Sequence, residues 1–250
     1  EDIDLVLAVG AGTIHDLSRF VAHQYRIPFV SVPTAASSDG FTSTVADMTW
    51  NGVKKTVAAS APLFVFADTD IFAKAPKRLT AAGVSDILGK YIALADWKIA
   101  SILSEEYYCA EVVNLETRAV RTVKDNLKEI AAGEEEACEK LMYALVLSGL
   151  AMQMTGSSRP ASGAEHHLVH LWDMEVVNGH LDALHGEKVS GGTMLVLLEY
   201  KKIADAIRRG TCKVHTCTEE DQELLKETFG KKGILGALEK ENTPEPLDDV

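Results

Sequence analysis

Three histidines with one carboxylate could bind a metal in this sequence. In Ser162-Gly163-Ala164-Glu165-His166-His167-Leu168-Val169-His170, His166 and His170 stand four apart, so a helix places both imidazoles on one face. His185 follows in Leu184-His185-Gly186-Glu187-Lys188, at the start of another helix. Asp86 lies in the apolar helical run Gly83-Val84-Ser85-Asp86-Ile87-Leu88-Gly89-Lys90. One carboxylate and two imidazoles are a sufficient protein shell for a catalytic divalent metal, leaving a position open for substrate. A lone helical histidine is more often a surface or satisfied core residue, and the clustering here shifts that balance only moderately. Glu165 and Glu187 are read as solvated helix charges rather than ligands.

A second chemical feature is Gly10-Ala11-Gly12-Thr13, which follows a strand and opens a helix. Without Cβ atoms the backbone can approach a ligand closely, and the free amides at a helix start face an anion, so a pyrophosphate could sit there. The pattern is not GxGxxG, since position 15 is His15, and on its own it equally describes a tight turn. Val32-Pro33-Thr34-Ala35-Ala36-Ser37-Ser38-Asp39-Gly40 follows the next strand, on the edge where open α/β sheets bind ligands. Its hydroxyls could donate to phosphate or ribose, or simply make a Ser-rich turn.

The elements that must position these groups fall into two textures. Up to about residue 75 the chain alternates short apolar runs with turns. Leu5 to Val9, Phe29 to Val32 and Leu63 to Ala67 are candidate buried strands, and Thr13 to Tyr25 has the apolar spacing of a crossover helix. That is a parallel βαβ unit, with a β-hairpin over Ala46 to Ala58 turning at Asn51-Gly52. From Pro76 onward Ala, Leu, Glu and Lys predict helices over 78–102, 110–131, 135–155, 161–174, 186–206 and 219–228. Breaks are expected at Gly133, at 157–160 and around Asn178-Gly179, with a fraying tail over 241–250. The expected organisation is a Rossmann-like α/β domain over 1–75 and an all-α metal- and substrate-binding domain over 76–250.

The 250 residues are 46% apolar, enough to bury a sizeable core. A net charge of −12, from 25 basic against 37 acidic residues, argues against nucleic acid or an anionic membrane as partner. Cys109, Cys138, Cys212 and Cys217 show no metal spacing and read as thiols in a reducing compartment. No signal peptide or apolar run of membrane length is visible, so the expected location is cytoplasmic.

Together the motifs resemble the iron-containing alcohol dehydrogenase and dehydroquinate synthase-like superfamily, and within it look most like the glycerol-1-phosphate dehydrogenases. The resemblance rests on Gly10 to Asp16, Pro33 to Ser43, Gly83 to Lys90, Ser158 to His166 and His185 to Val189, which occur in family order. It implies a dehydroquinate synthase-like fold whose α/β part is truncated at its start, since the chain opens at Glu1-Asp2 and runs at once into a strand. It further implies NAD or NADP held by Gly12, Thr13, Ile14, His15 and Asp16, and by Thr34, Ala35, Ala36, Ser37 and Ser43. The implied metal ligands are Asp86, His166 and His185, binding zinc first, with nickel or iron as alternatives. His167 is the nearest competitor of His166. Asp39, Asp86 and His170 would meet the substrate, with Asp86 and His170 in catalytic roles. The implied reaction interconverts dihydroxyacetone phosphate and sn-glycerol 1-phosphate, with Arg159 and Lys188 as candidate phosphate-binding residues and a homo-oligomer as the assembly. Alternatives are a glycerol dehydrogenase, a dehydroquinate synthase-like cyclase, or a nucleotide-binding protein without catalysis.

Overall fold

The computed structural model describes residues 3–176, 179–213 and 219–241. Strand β1 (Val6–Gly10), helix α1 (Gly12–Tyr25) and strand β2 (Phe29–Pro33) form the expected βαβ unit, and the two strands pair in parallel with Ala8 opposite Ser31. Ala8, Ala22 and Phe29 close the contact between the strands and α1. β1 is nevertheless not buried on both faces. Leu7 and Val9 are exposed while Ala8 is buried, because α1 covers one face and alternate side chains point to the other.

The third expected strand, at Leu63 to Ala67, is reduced to a single parallel bridge between Ser31 and Val65. Its backbone bonds to Phe29 and Ser31 begin after Pro62, which has no N–H to offer, and the chain soon turns into α2 (Thr69–Phe72), where Asp68 accepts from the Asp70 amide. The hairpin forms as expected from β3 (Val45–Trp50) and β4 (Val53–Ala58). Asn51 and Gly52 both take positive φ, the backbone a two-residue turn of this kind demands.

The helical part comprises α3 (Lys77–Leu103), α4 (Ala110–Asp125), α5 (Leu127–Ala132), α6 (Glu135–Thr155), α7 (Ala164–Asp173), α8 (His185–Arg208), α9 (Glu219–Phe229) and α10 (Leu235–Glu241). The helix expected over 110–131 is two helices. At Asn126 the side-chain amide donates to the Thr122 carbonyl, a local bond that competes with the helix ladder. α7 starts at Ala164 rather than 161, because Gly163 is extended and Asp96 of α3 accepts the Ala164 amide. The break at Gly133 forms with positive φ. Asn178, Cys217 and residues 242–250 lie outside the described residues.

Phe41, in a single 3-10 turn at Gly40–Thr42, is fully buried with Ile87, Val120, Leu141 and Leu145, so the α/β and helical parts share one core. Arg19 of α1, also fully buried, donates to the carbonyls of Val45 and Gly40 and fixes the hairpin and this turn to the helix. No helix among the described residues is long and apolar enough to cross a membrane.

Two glycines set how closely the chain packs around the later site. A Cβ on Gly83 would strike the Ala36 carbonyl, and one on Gly186 would strike the backbone of Ala82. Gly83→Ala should therefore cost about 1–3 kcal/mol of stability by overpacking, seen as a lower denaturant midpoint. An unchanged midpoint would show that this approach is not tight.

Candidate functional site

Asp86 lies on α3, His166 in the first turn of α7, and His185 opens α8. One ligand atom from each lies within 4.8 Å of the others. The Nε2 atoms of His166 and His185 are 3.3 Å apart, and Nε2 of His166 is 3.8 Å from Oδ1 of Asp86. Glu165, fully buried, places Oε1 2.7 Å from Nδ1 of His166. That carboxylate favours a proton on Nδ1, which leaves the Nε2 lone pair aimed at His185 and Asp86. Two imidazole nitrogens and a carboxylate oxygen converging so closely suit a shared cation, and the donor set suits zinc, nickel or iron.

Glu165 is thus not the solvated charge expected from sequence. It is a buried partner of His166 and also accepts the Gly163 amide. Glu187 does lie at the surface, where it pairs with Arg78 and caps α8 through the Leu184 amide. His166 is buried and stands within the cluster with Asp86 and His185, whereas His167 is exposed.

Beneath the triad lies a charge network that sequence reasoning missed. Lys90, one turn after Asp86, is fully buried, with Nζ 2.7 Å from Oδ1 of Asp86 and 2.8 Å from Oδ2 of Asp39. The Asp39 amide donates to Oδ2 of Asp86 at 3.0 Å, and Ser148 donates to Oδ2 of Asp39 at 2.8 Å. Burial alone would raise the pKa of Asp86, but Lys90 and the two imidazoles hold it at about 2. Burial likewise opposes the charge on Lys90, and its two carboxylates outweigh it. The signal available was a Lys four residues after an Asp on an apolar helix, the spacing of an ion pair. Glu116, fully buried on α4 nearby, gave no such signal; burial pushes its carboxyl up to about 8 against the pull of Lys90.

A cleft of roughly 890 Å³ runs from the triad to the glycine turn. Of the residues expected to bind cofactor, Gly12, Thr13, Asp16, Ser37 and Ser43 line it, and a Cβ on Gly12 would crowd the Ser38 hydroxyl at 3.2 Å. Ile14, His15, Thr34, Ala35 and Ala36 do not line it. His15 is buried with Nδ1 on the Ala11 carbonyl, the Thr34 amide donates to the Gly10 carbonyl, and Ala35 and Ala36 pack beneath the loop. These residues shape the turn from behind, because the loop must pack against helices to hold its hydroxyls forward. Asp39, His166, His170 and His185 line the cleft, while Asp86 is sealed below it. Burial lowers the pKa of His170 to about 4, against the carboxylate of Asp47, so its imidazole is neutral near pH 7.

An α/β turn that opens a helix thus shares one cleft with a cluster of a buried Asp and two His on packed helices. Residues 1–76 match the iron-containing alcohol dehydrogenase family model. Curated relatives of the chain include a glycerol-1-phosphate dehydrogenase [NAD(P)+] of Geobacillus thermodenitrificans, 46% identical over 203 residues, covering 81% of this chain and 50% of the relative. A second, of Bacillus velezensis, is 44% identical over 251 residues, covering 100% of this chain and 64% of the relative. Among solved structures, a probable glycerol dehydrogenase from Sinorhizobium meliloti superposes with a TM-score of 0.67 at 24% identity, covering 92% of this chain and 69% of that one. The chain spans about half the length of the first of these relatives.

Two outcomes test the electrostatics of the site. Glu165→Ala should weaken zinc binding by about 10–100-fold, measured by chelator competition; wild-type affinity would show that the Glu165 contact does not orient His166. Glu116 holds its proton in the folded protein up to about pH 8, so the stability it contributes is full in acid and is lost as pH rises to that value. The free energy of unfolding of Glu116→Gln should therefore rise relative to that of the wild type between pH 5 and 8, by at most about 1.4 kcal/mol per pH unit. A pH-independent difference would contradict this.

Proposed function

We propose that the protein interconverts dihydroxyacetone phosphate and sn-glycerol 1-phosphate with NAD or NADP. The observation that carries the reading is the meeting of Asp86, His166 and His185 at one point, at the end of the cleft that begins at the Gly10-Ala11-Gly12 turn. The names of the curated relatives support the choice of reaction. Asp86, His166 and His185 would hold a divalent metal, which would supply Lewis acidity, and the cleft would hold the nicotinamide cofactor that serves hydride transfer.

The protein's own residues do the rest. Ser37, Ser43 and the amides at the start of α1 hold the cofactor's phosphates and orient its ring. Asp39, held in place by Lys90 and Ser148, accepts a hydrogen bond from a substrate hydroxyl. His170, neutral at the working pH, accepts the proton of the carbinol at Nδ1 or Nε2 in the oxidative direction and returns it in the reductive one.

The test is elemental analysis of the purified full chain, followed by NADH oxidation with dihydroxyacetone phosphate against dihydroxyacetone. We expect bound metal and a strong preference for the phosphate ester. His166→Ala should lose the metal and about 10³-fold in kcat/KM, the loss of several kcal/mol of charge stabilisation. Asp39→Asn should retain the metal and lose less. Near-normal turnover and metal content in His166→Ala would end the proposal.

A further inference from the structure

The hairpin of β3 and β4 has no part in the site as read so far. Its side chains alternate, and the strand pairing puts Val45, Asp47, Thr49, Lys54 and Thr56 on one face. All five line the cleft, while Val53 on the other face packs with Met174 and Ile234. One face of the hairpin is therefore a wall of the site.

Lys54 is the one lysine on the cleft wall among the described residues, and Arg159 the one arginine. Arg159 is committed elsewhere: its guanidinium makes two bonds of 2.7 Å to Glu106, which offset its charge. Lys188 does not line the cleft and sits 2.6 Å from Oδ1 of Asp173. Lys54 meets the other oxygen of the same carboxylate at 3.2 Å. One carboxylate is shared by two ammonium groups, so Asp173 keeps a cation when Lys54 turns away, and the Lys54 ammonium lies on the cleft wall with the carboxylates of Asp47 and Asp16. Asp47, on the same hairpin face, accepts from Thr56 and lies in the field of the buried Arg19.

The placement relative to the triad matters as much as the charge. His166, His170 and Asp173 stand at i, i+4 and i+7 along α7, one stripe of the helix. The stripe runs about 10 Å from the triad to the partner of Lys54. A three-carbon chain with a terminal phosphate fills that length when its oxygen lies at the triad and its phosphate meets an ammonium group.

Resting on the function proposed above, we infer that the β3–β4 hairpin selects the substrate and that Lys54 recognises the phosphate of the three-carbon ester. On binding, Lys54 turns from Asp173 to the phosphate, and Lys188 keeps Asp173 neutralised. The sequence candidates Arg159 and Lys188 are replaced in this role by Lys54.

The competing explanation is that Lys54 only tethers the hairpin to α7. Breaking the pair from its other side separates the two. In the zinc-loaded full chain, Lys54→Gln should raise KM for dihydroxyacetone phosphate by about 10–100-fold, the loss of a charged hydrogen bond, with KM for dihydroxyacetone unchanged. Calorimetric titration with sn-glycerol 1-phosphate, without cofactor, should show the same loss. Asp173→Asn breaks the same contact but leaves the cation, and should keep or lower KM for the phosphate ester. Equal increases in the two variants, equal increases on both substrates, or no change in Lys54→Gln would each overturn the assignment while leaving the function standing. A wild-type chain that neither reduces dihydroxyacetone phosphate nor binds the glycerol ester would overturn both.

Discussion

A carboxylate with no exposure to water must be held by charge and hydrogen bonds, and Asp86 is such a group. Stripped of solvent, its ionised form is costly unless cations and donors replace the water. Lys90 and the Asp39 amide supply that replacement from below, and the two imidazoles face it from above. The consequence is that α3, α7, α8 and the loop after β2 are tied to one point. Losing any one partner leaves a buried charge uncompensated, so the architecture of the site and the stability of the fold are the same problem.

The same constraint explains the shape of the loop that carries Asp39. Its amide and carboxylate both serve the buried network, and Phe41, next along the chain, is driven into the helical core. With the loop pinned at both points, Ser37 and Ser43 are left facing the cleft and Ala35 and Ala36 are pressed against α3. Arg19 holds the far side of this arrangement by bonding to backbone carbonyls of the hairpin and the turn. A rigid loop and a rigid hairpin thus become opposite walls of one cleft, with the cation-binding side chains at its end.

Charge is distributed along that cleft with a purpose that only packing reveals. The acidic composition would suggest a surface hostile to anions, yet the local balance depends on who is paired with whom. Glu106 offsets Arg159, Arg78 offsets Glu187, and the Asp173 carboxylate is held between Lys54 and Lys188. Net charge governs long-range behaviour, while recognition of a small ester depends on a few ångströms.

The sequence by itself determined what depends on neighbours a few residues apart. The glycine turn, the α1 spacing, the Asn51-Gly52 hairpin and most of the long helices follow from backbone sterics and local periodicity and stand within a residue or two of expectation, while the break at Asn126 and the start of α7 do not. The pairing of His166 with Asp86 and His185 was legible as a motif but not as a geometry, because residues up to about a hundred positions apart meet only when helices pack. Tertiary structure also decided between identical residue types. Glu165 and Glu187 both stand within two residues of a histidine of the triad, yet one is buried against His166 and the other lies at the surface with Arg78. Burial, and with it dielectric and pairing, is a property of what covers a side chain, and local sequence carries no record of that.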